Sequence, residues 1–329
     1  MKSFVPCLGM ALLAQVALAQ SHSPAPGDRT LGFSLADAFR QTDPGSGGSS
    51  DAASSSAGVD LLWPGFMTGL SGFEGFVKPV GMPIYFEDPF ITNDLNLFYV
   101  YHKVPSGSQI RGGEIQVWGA QIRLALSERW QFLATKDGYS KVDTGVVDSD
   151  GWNDLTAGLK YALHVDQANQ FLVSTGLKWE LSNGKASDLQ DGGSELNPFV
   201  SVAKAWDKWH FIGALNGRIP MNPGNGTASI VWNLHLDYEL YPDFRPLIEV
   251  HGIHWLSNGD TLPIKEDYLD VGSVGSNGVS GRDFFALGLG FRWQIMDNVS
   301  WGSIFEIPLE SQSQNPQQYR FTTSVVVSF

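Results

Sequence analysis

From about Ile91 to Phe329, apolar and polar residues alternate with a period of two in one run after another. In the run 283–295, Phe285, Leu287, Leu289, Phe291, Trp293 and Ile295 share one side, and Ala286, Gly288, Gly290, Arg292 and Gln294 the other. In "QFLVSTGLKWEL", Phe171, Val173, Leu177, Trp179 and Leu181 oppose Gln170, Ser174, Lys178 and Glu180. Successive side chains of a strand face opposite ways, so each run predicts a strand with one apolar and one mixed polar face. Twelve such runs follow one another, from "DLNLFYVYHKV" to "YRFTTSVVVSF". Links after even-numbered runs are short ("SER", "HVDQAN", "DK", "YPDF", "MDN"), and links after odd-numbered runs are longer, up to "SNGDTLPIKEDYLDVGSVGSNGVSGR". Hairpins standing side by side put all short turns at one end and all long loops at the other. An even strand count, short turns at one rim and runs near the ~9–11 residues that span a bilayer are marks of an outer-membrane barrel. Strands of soluble proteins average about 5–6 residues. A soluble β-sandwich shares the alternation but buries the apolar face as core. Trp130, Trp209 and Trp301, beside the short turns, instead suit an interfacial aromatic girdle. The predicted fold is therefore all-β: a single closed antiparallel transmembrane barrel of about 12 strands over residues 91–329.

The residues ahead of the barrel divide into three. Residues 1–19 carry one Lys, an apolar stretch from Phe4 to about Val16, and Ala17-Leu18-Ala19, which reads as a signal peptide cut before Gln20. The chain is thereby routed to the outer membrane of a Gram-negative-type bacterium. Cys7, the only cysteine, falls inside that segment, so no disulfide is expected in the mature chain. Residues 20–59 are rich in Ser, Pro, Gly and Ala and predict a disordered periplasmic linker, with one short amphipathic helix at "LGFSLADAFRQ". Residues 60–90 are dense in Gly and aromatics, and Pro64, Pro79, Pro83 and Pro89 forbid regular strands or helices. A greasy irregular segment must pack on something, so this one is expected to enter the lumen as a plug or to cap the mouth. Charged residues make up only 17% of the chain, and the net charge of −13 argues against a nucleic-acid partner.

The last run places Tyr319, Phe321 and Phe329 on one face, ending on an aromatic. This resembles the C-terminal assembly signal of bacterial outer-membrane barrels, which implies the barrel-assembly machinery as a partner. Membrane lipid, lipopolysaccharide and a small-molecule permeant are the other partners expected. Through "FEDPF", "EVHGIHWLSNG", "FRWQIMDNVSWGSIFEIPL" and the terminal strand, residues 86–329 resemble the outer-membrane transporter family linked to the meta pathway of phenol degradation. That resemblance implies passive passage of small, hydrophobic or aromatic solutes through a polar lumen.

The inward phase of the runs names the expected pore-lining residues: Arg123, Lys160, Lys178, Glu180, Arg218, His235, Asp237, Glu239, Glu249, His251, Arg292, Glu306 and Arg320. Charges of both signs in a narrow lumen filter permeants by charge and size, or pair into a salt-bridged core. The "YPDF" turn should bring His235, Asp237, Glu249 and His251 together, with Asp237 across from Glu249 and His235 across from His251. Two imidazoles and two carboxylates are candidates for a metal site. No cofactor is expected.

Two alternatives remain open on the sequence. A closed structural or adhesion barrel would act through its outer loops, where Asp143, Asp148, Asp150, Asp188, Asp191, Asp260, Glu266, Asp267 and Asp270 would solvate the surface or hold divalent ions. A lipid hydrolase is suggested by "HWLSNG", which resembles the His-x-Ser-Asn-Gly stretch of outer-membrane phospholipases. In this chain His254 and Ser257 are three apart, so a regular strand sets them on opposite faces.

Overall fold

The computed structural model describes residues 65–184, 193–310 and 315–329. The signal peptide, the linker with its short helix, Asp188 and Asp191 lie outside the described residues. The strands are β1 (Asp94–Val104), β2 (Gly113–Ala125), β3 (Trp130–Thr144), β4 (Asp148–Trp152), β5 (Leu155–Asp166), β6 (Phe171–Leu181), β7 (Glu195–Trp206), β8 (Trp209–Pro220), β9 (Ser229–Tyr238), β10 (Phe244–Trp255), β11 (Asp283–Met296), β12 (Val299–Pro308) and β13 (Tyr319–Ser328). All thirteen form one antiparallel sheet; β4 pairs only with β3, and the other twelve pair in chain order around the wall, β3 with both β2 and β5. The sheet closes where β1 meets β13, from Asp94 opposite Ser328 to Lys103 opposite Tyr319. The Phe329 N–H donates to the Asn93 carbonyl at 3.1 Å and seals the seam at the short-turn end. Closure leaves no sheet edge, which lipid could not satisfy. The result is a closed 12-strand barrel with β4 outside the count.

The two faces of the wall settle the choice between barrel and sandwich. Outward residues such as Leu159, Leu177, Trp179, Leu215, Leu234, Leu289 (62%) and Phe305 are exposed, while inward polar residues such as Arg218 (1%), Glu249 (0%) and Arg320 (0%) are buried. A soluble sandwich has the reverse arrangement, so that reading falls. Trp130 and Trp209 are exposed beside short turns, and the Trp301 indole donates to Thr323 Oγ1 at 2.9 Å across the strand pair.

Two sequence expectations need correction. The stretch "YSKVDTGVVDSDGW" is not a loop. β3 runs on beyond its pairing with β5 to Thr144, turns where the Thr144 N–H meets the Val147 carbonyl at 2.8 Å, and returns as β4 with Tyr139 opposite Trp152. The β-branched Val142, Thr144, Val146 and Val147 favour this extended hairpin over an irregular loop. The β9–β10 register also differs from the expected one: Glu249 lies opposite His235, His251 opposite Asn233 and Leu247 opposite Asp237. The cause is the turn, where Tyr241 and Phe244 exchange backbone bonds at 3.2 and 3.1 Å around Pro242-Asp243. The β10 partner of each β9 residue is thereby displaced by two positions.

Leu289 faces lipid in β11, where an arginine near the bilayer midplane costs about 2–4 kcal/mol. Leu289→Arg should therefore reduce the yield of the heat-modifiable folded band in outer-membrane fractions, while Leu289→Phe leaves it unchanged. Equal yields for the two variants would contradict this face assignment.

Candidate functional site: the occupied lumen

Residues 65–93 contribute no strand to the wall. They enter at the short-turn rim, where the Met67 N–H donates to the Ala125 carbonyl at 2.9 Å, and the Gln167 and Gln170 amides donate to the Ser71 and Gly72 carbonyls, each at 2.8 Å. The segment then climbs inside the barrel and turns at Met82–Phe86, with the Tyr85 and Phe86 N–H groups donating to the Met82 carbonyl at 3.1 and 2.9 Å. It descends through Glu87-Asp88-Pro89 to join β1. Pro79, Pro83 and Pro89 keep it irregular, so its carbonyls have no ladder to join.

The wall supplies the missing partners. Arg292 donates to the Lys78 and Pro79 carbonyls at 3.0 and 2.9 Å, Gln121 to Pro83 at 2.7 Å, and Lys178 to Ile84 at 2.7 Å. Asn216 and Asn233 share the Tyr85 carbonyl at 2.6 and 3.0 Å, Lys160 reaches Asp88 at 2.9 Å and Ser174 reaches Pro89 at 2.5 Å. Glu249 works in the opposite sense and accepts the Val80 and Gly81 N–H groups at 2.9 and 2.7 Å. Gly81 is required by this close approach, since a Cβ there would meet His251 Nε2 at 2.5 Å and Glu249 Oε2 at 2.6 Å.

Charges bind the same segment. Arg123 holds Glu87 through two bonds of 3.0 and 3.1 Å, and Lys160 adds a third at 3.0 Å. Lys78 bridges Asp88 and Asp94 at 3.1 and 2.9 Å. Tyr85 donates to Glu195 at 2.8 Å, and Glu195 pairs with Arg218 at 3.2 Å.

A second segment fills the lumen from the long-loop end. The β10–β11 loop folds inward, so that Asp270 pairs with Arg320 at 2.6 Å, Arg218 donates to the Leu269 carbonyl at 3.1 Å and Thr227 donates to Asp267 at 2.6 Å. Ser108, from the β1–β2 loop, donates to Glu266. The expectation of surface acids is corrected here: Glu266, Asp267 and Asp270 are buried. They turn inward because the wall presents Arg218, Arg320 and hydroxyls that solvent would otherwise have to satisfy. Apolar residues pack around the loop, with Leu269, Val271 and Val274 in one cluster with Val100, Val117, Ile253 and Phe284 of the wall.

The expected inward residues occupy this interior. Arg123, Lys160, Lys178, Glu180, Arg218, His235, Asp237, Glu249, His251, Arg292, Glu306 and Arg320 are all buried. Glu239 stands apart at the β9–β10 turn, part-exposed and paired with Arg245 at 3.0 Å. His235 links Glu249 and Asp237 at 2.8 and 3.0 Å, and His251 meets Asn233 at 2.8 Å. His210 continues the chain to Asp237 at 3.0 Å. These bonds run in series. Among the described residues no group of three or more His, Cys, Asp or Glu is placed to hold a metal ion. His254 binds Asp283 at 2.7 Å, whereas Ser257 Oγ accepts the Ala228 N–H at 3.1 Å, so the two do not form a nucleophile–base pair.

Sequence reasoning named Arg123 and Lys160 as inward residues but missed Glu87 and Asp88, the plug acids they hold. "FEDPF" carried the signal: two adjacent acids in an otherwise greasy, proline-rich stretch demand buried cations.

No family model matches the chain, and no curated protein matches it either. Among solved structures, the COG4313 outer membrane channel from Pseudomonas putida F1 is similar over 77% of this chain and 100% of that one, with a TM-score of 0.53 and 12% identity. The KdgM porin solved with disordered oligogalacturonate aligns over 72% of this chain and 99% of that one (TM-score 0.45, 9% identity), and the NanC porin over 72% and 98% (TM-score 0.42, 11% identity). The fold is that of an outer-membrane β-barrel. Residues 65–93 enter the barrel at its short-turn end and the β10–β11 loop at its long-loop end.

Two outcomes follow from this geometry. Gly81→Ala should push the plug off Glu249 and expose Phe73 and Phe76 to chymotrypsin, with the barrel band on gels intact; unchanged cleavage would contradict the close approach. Burial pushes the Asp267 carboxyl above the usual carboxylate range, against the opposing pull of Arg218. A raised value in the docked loop means that docking favours the protonated acid. That contribution is present below the released value of about 3.9 and is lost as pH rises through the docked value. Asp267→Asn should therefore slow hydrogen exchange of loop residues 260–276 at pH 7 and flatten its pH dependence; faster exchange would contradict the sign.

Proposed function

We propose that this barrel is an outer-membrane channel for passive passage of small solutes, closed at rest by residues 65–93 and by the β10–β11 loop. The observation that carries the reading is the kind of contact that holds the plug. It joins no ladder, and its backbone is held by side-chain hydrogen bonds and ion pairs from the wall. Polar contacts of this kind can be replaced by water, while Phe73, Met82, Ile84, Tyr85, Phe86, Phe90 and Ile91 pack in the apolar core cluster and would be uncovered on release. A barrel whose interior is only structural would be filled by its own wall side chains, as eight-stranded barrels are. Val100, Val117, Ile253 and Phe284 of β1, β2, β10 and β11 form an apolar part of the wall beside the outer loop. That apolar strip suits the hydrophobic or aromatic solutes which the meta-pathway resemblance implies.

The test is planar-bilayer recording of the mature chain and of a variant lacking residues 20–90. The account expects rare steps from the mature chain and frequent, larger steps from the truncated one, after a heat-modifiable band has shown that both are folded. Absence of steps from both would overturn the channel reading and leave the closed structural barrel.

A further inference from the structure

Glu87 is a carboxylate brought into the lumen by the chain itself, and the wall receives it as a ligand. Arg123 offers Nε and Nη2 to its two oxygens at 3.0 and 3.1 Å, the side-on fork by which guanidinium groups bind carboxylates. Lys160 adds its ammonium at 3.0 Å. Arg123 and Lys160 are 3% and 0% exposed, so neither charge is shared with bulk solvent. Both belong to the wall, on β2 and β5, whereas Glu87, Asp88 and Lys78 belong to the plug. If the plug leaves, these three depart together, and the two wall cations then face one wall carboxylate, Asp94, which Arg123 Nη1 approaches at 3.5 Å.

A third wall cation stands nearby. Lys178, on β6, is 1% exposed and has no ion-pair partner among the described residues. Its ammonium donates to the Ile84 carbonyl at 2.7 Å and lies over the Tyr85 and Phe199 rings, 5.6 and 5.9 Å from their centroids. Two of those three contacts also depart with the plug. Phe199 remains as an apolar wall beside the cation. Release of the plug takes these counter-charges away, so an anion that replaces Glu87 on the wall cations favours the released state.

We propose that Arg123 and Lys160, with Lys178 beside them, form a binding site for small organic carboxylates, and that Glu87 occupies it as an internal competitor. A permeant acid whose carboxylate replaces that of Glu87 satisfies the wall cations and loosens the plug in one event. The solute thus favours its own passage, because it binds the released state and not the closed one. This inference rests on the channel reading for the solute's route into the lumen, and binding itself can be measured without it.

The experiment is titration calorimetry on the folded mature chain in detergent, with benzoate as the probe and benzamide as its neutral counterpart. Benzoate should bind and benzamide should bind at least about tenfold more weakly, a difference of roughly 1.4 kcal/mol. Glu87→Gln removes the competitor's charge and should tighten benzoate by about tenfold or more. Lys160→Met, checked for its heat-modifiable band, should weaken benzoate in either background. Equal binding of benzoate and benzamide, or no tightening in Glu87→Gln, would overturn the site; the Glu87→Gln arm decides if Lys160→Met does not fold. Bilayer recordings of the same proteins separate the two readings. Benzoate binding without conductance removes the channel and keeps the site. Conductance with no preference for benzoate removes the site and keeps the channel.

Discussion

Every main-chain polar group in this protein has to be satisfied without lipid. For the strands, closure of β1 on β13 achieves this, since the ladder then has no edge. For the plug the solution is different. Three prolines within residues 79–89 prevent it from pairing with anything, so its carbonyls and amides depend on the inner wall. Arg292, Gln121, Lys178, Asn216, Asn233, Lys160 and Ser174 donate, and Glu249 accepts. Most inward residues that look like a pore lining are in this structure the hydrogen-bond partners of a second piece of chain.

That dependence explains the spread of charge. A barrel of this size could carry an inert polar lining in contact with water. Instead, buried cations on β2 and β5 meet the plug acids, Lys178 on β6 meets the Ile84 carbonyl, and Glu249 on β10 meets plug amides. On the outer side the same logic applies to Arg218 and Arg320, which draw in the Leu269 carbonyl and Asp270. Each buried charge is strongly stabilised while its partner is present and unfavourable when alone, so plug, loop and wall hold one another in place.

The barrel was largely legible in the sequence because lipid imposes a simple code. Period-two alternation at Leu287, Leu289 and Phe291 marks the outward face, and Gly288, Gly290 and Arg292 the inward one. The alternation of short and long links orders the strands. What the code does not carry is pairing between segments far apart in the chain. The Tyr241–Phe244 pair shifted the expected partners of His235 and Asp237, because a turn's centre depends on its own backbone and not on the flanking pattern. Gly290 shows the same limit. It faces inward by pattern, yet a Cβ there would meet the Ser303 carbonyl at 2.4 Å, so the position cannot take a side chain without displacing β12. The acids of the β10–β11 loop looked like surface charge because nothing local shows that Arg218 and Arg320 lie across the lumen.

The central claim is that the plug is a separable unit held inside a more stable barrel. Native-state hydrogen exchange on the folded protein tests it most directly, by comparing the Val80 and Gly81 amides, bound to Glu249, with strand amides such as those of Val250 and Leu289. The account predicts that the plug amides exchange together through one opening of lower free energy, while the strand amides remain protected. Exchange of the plug amides only with global unfolding, at the same rate as the strands, would show that plug and barrel form one indivisible structure and would contradict the account.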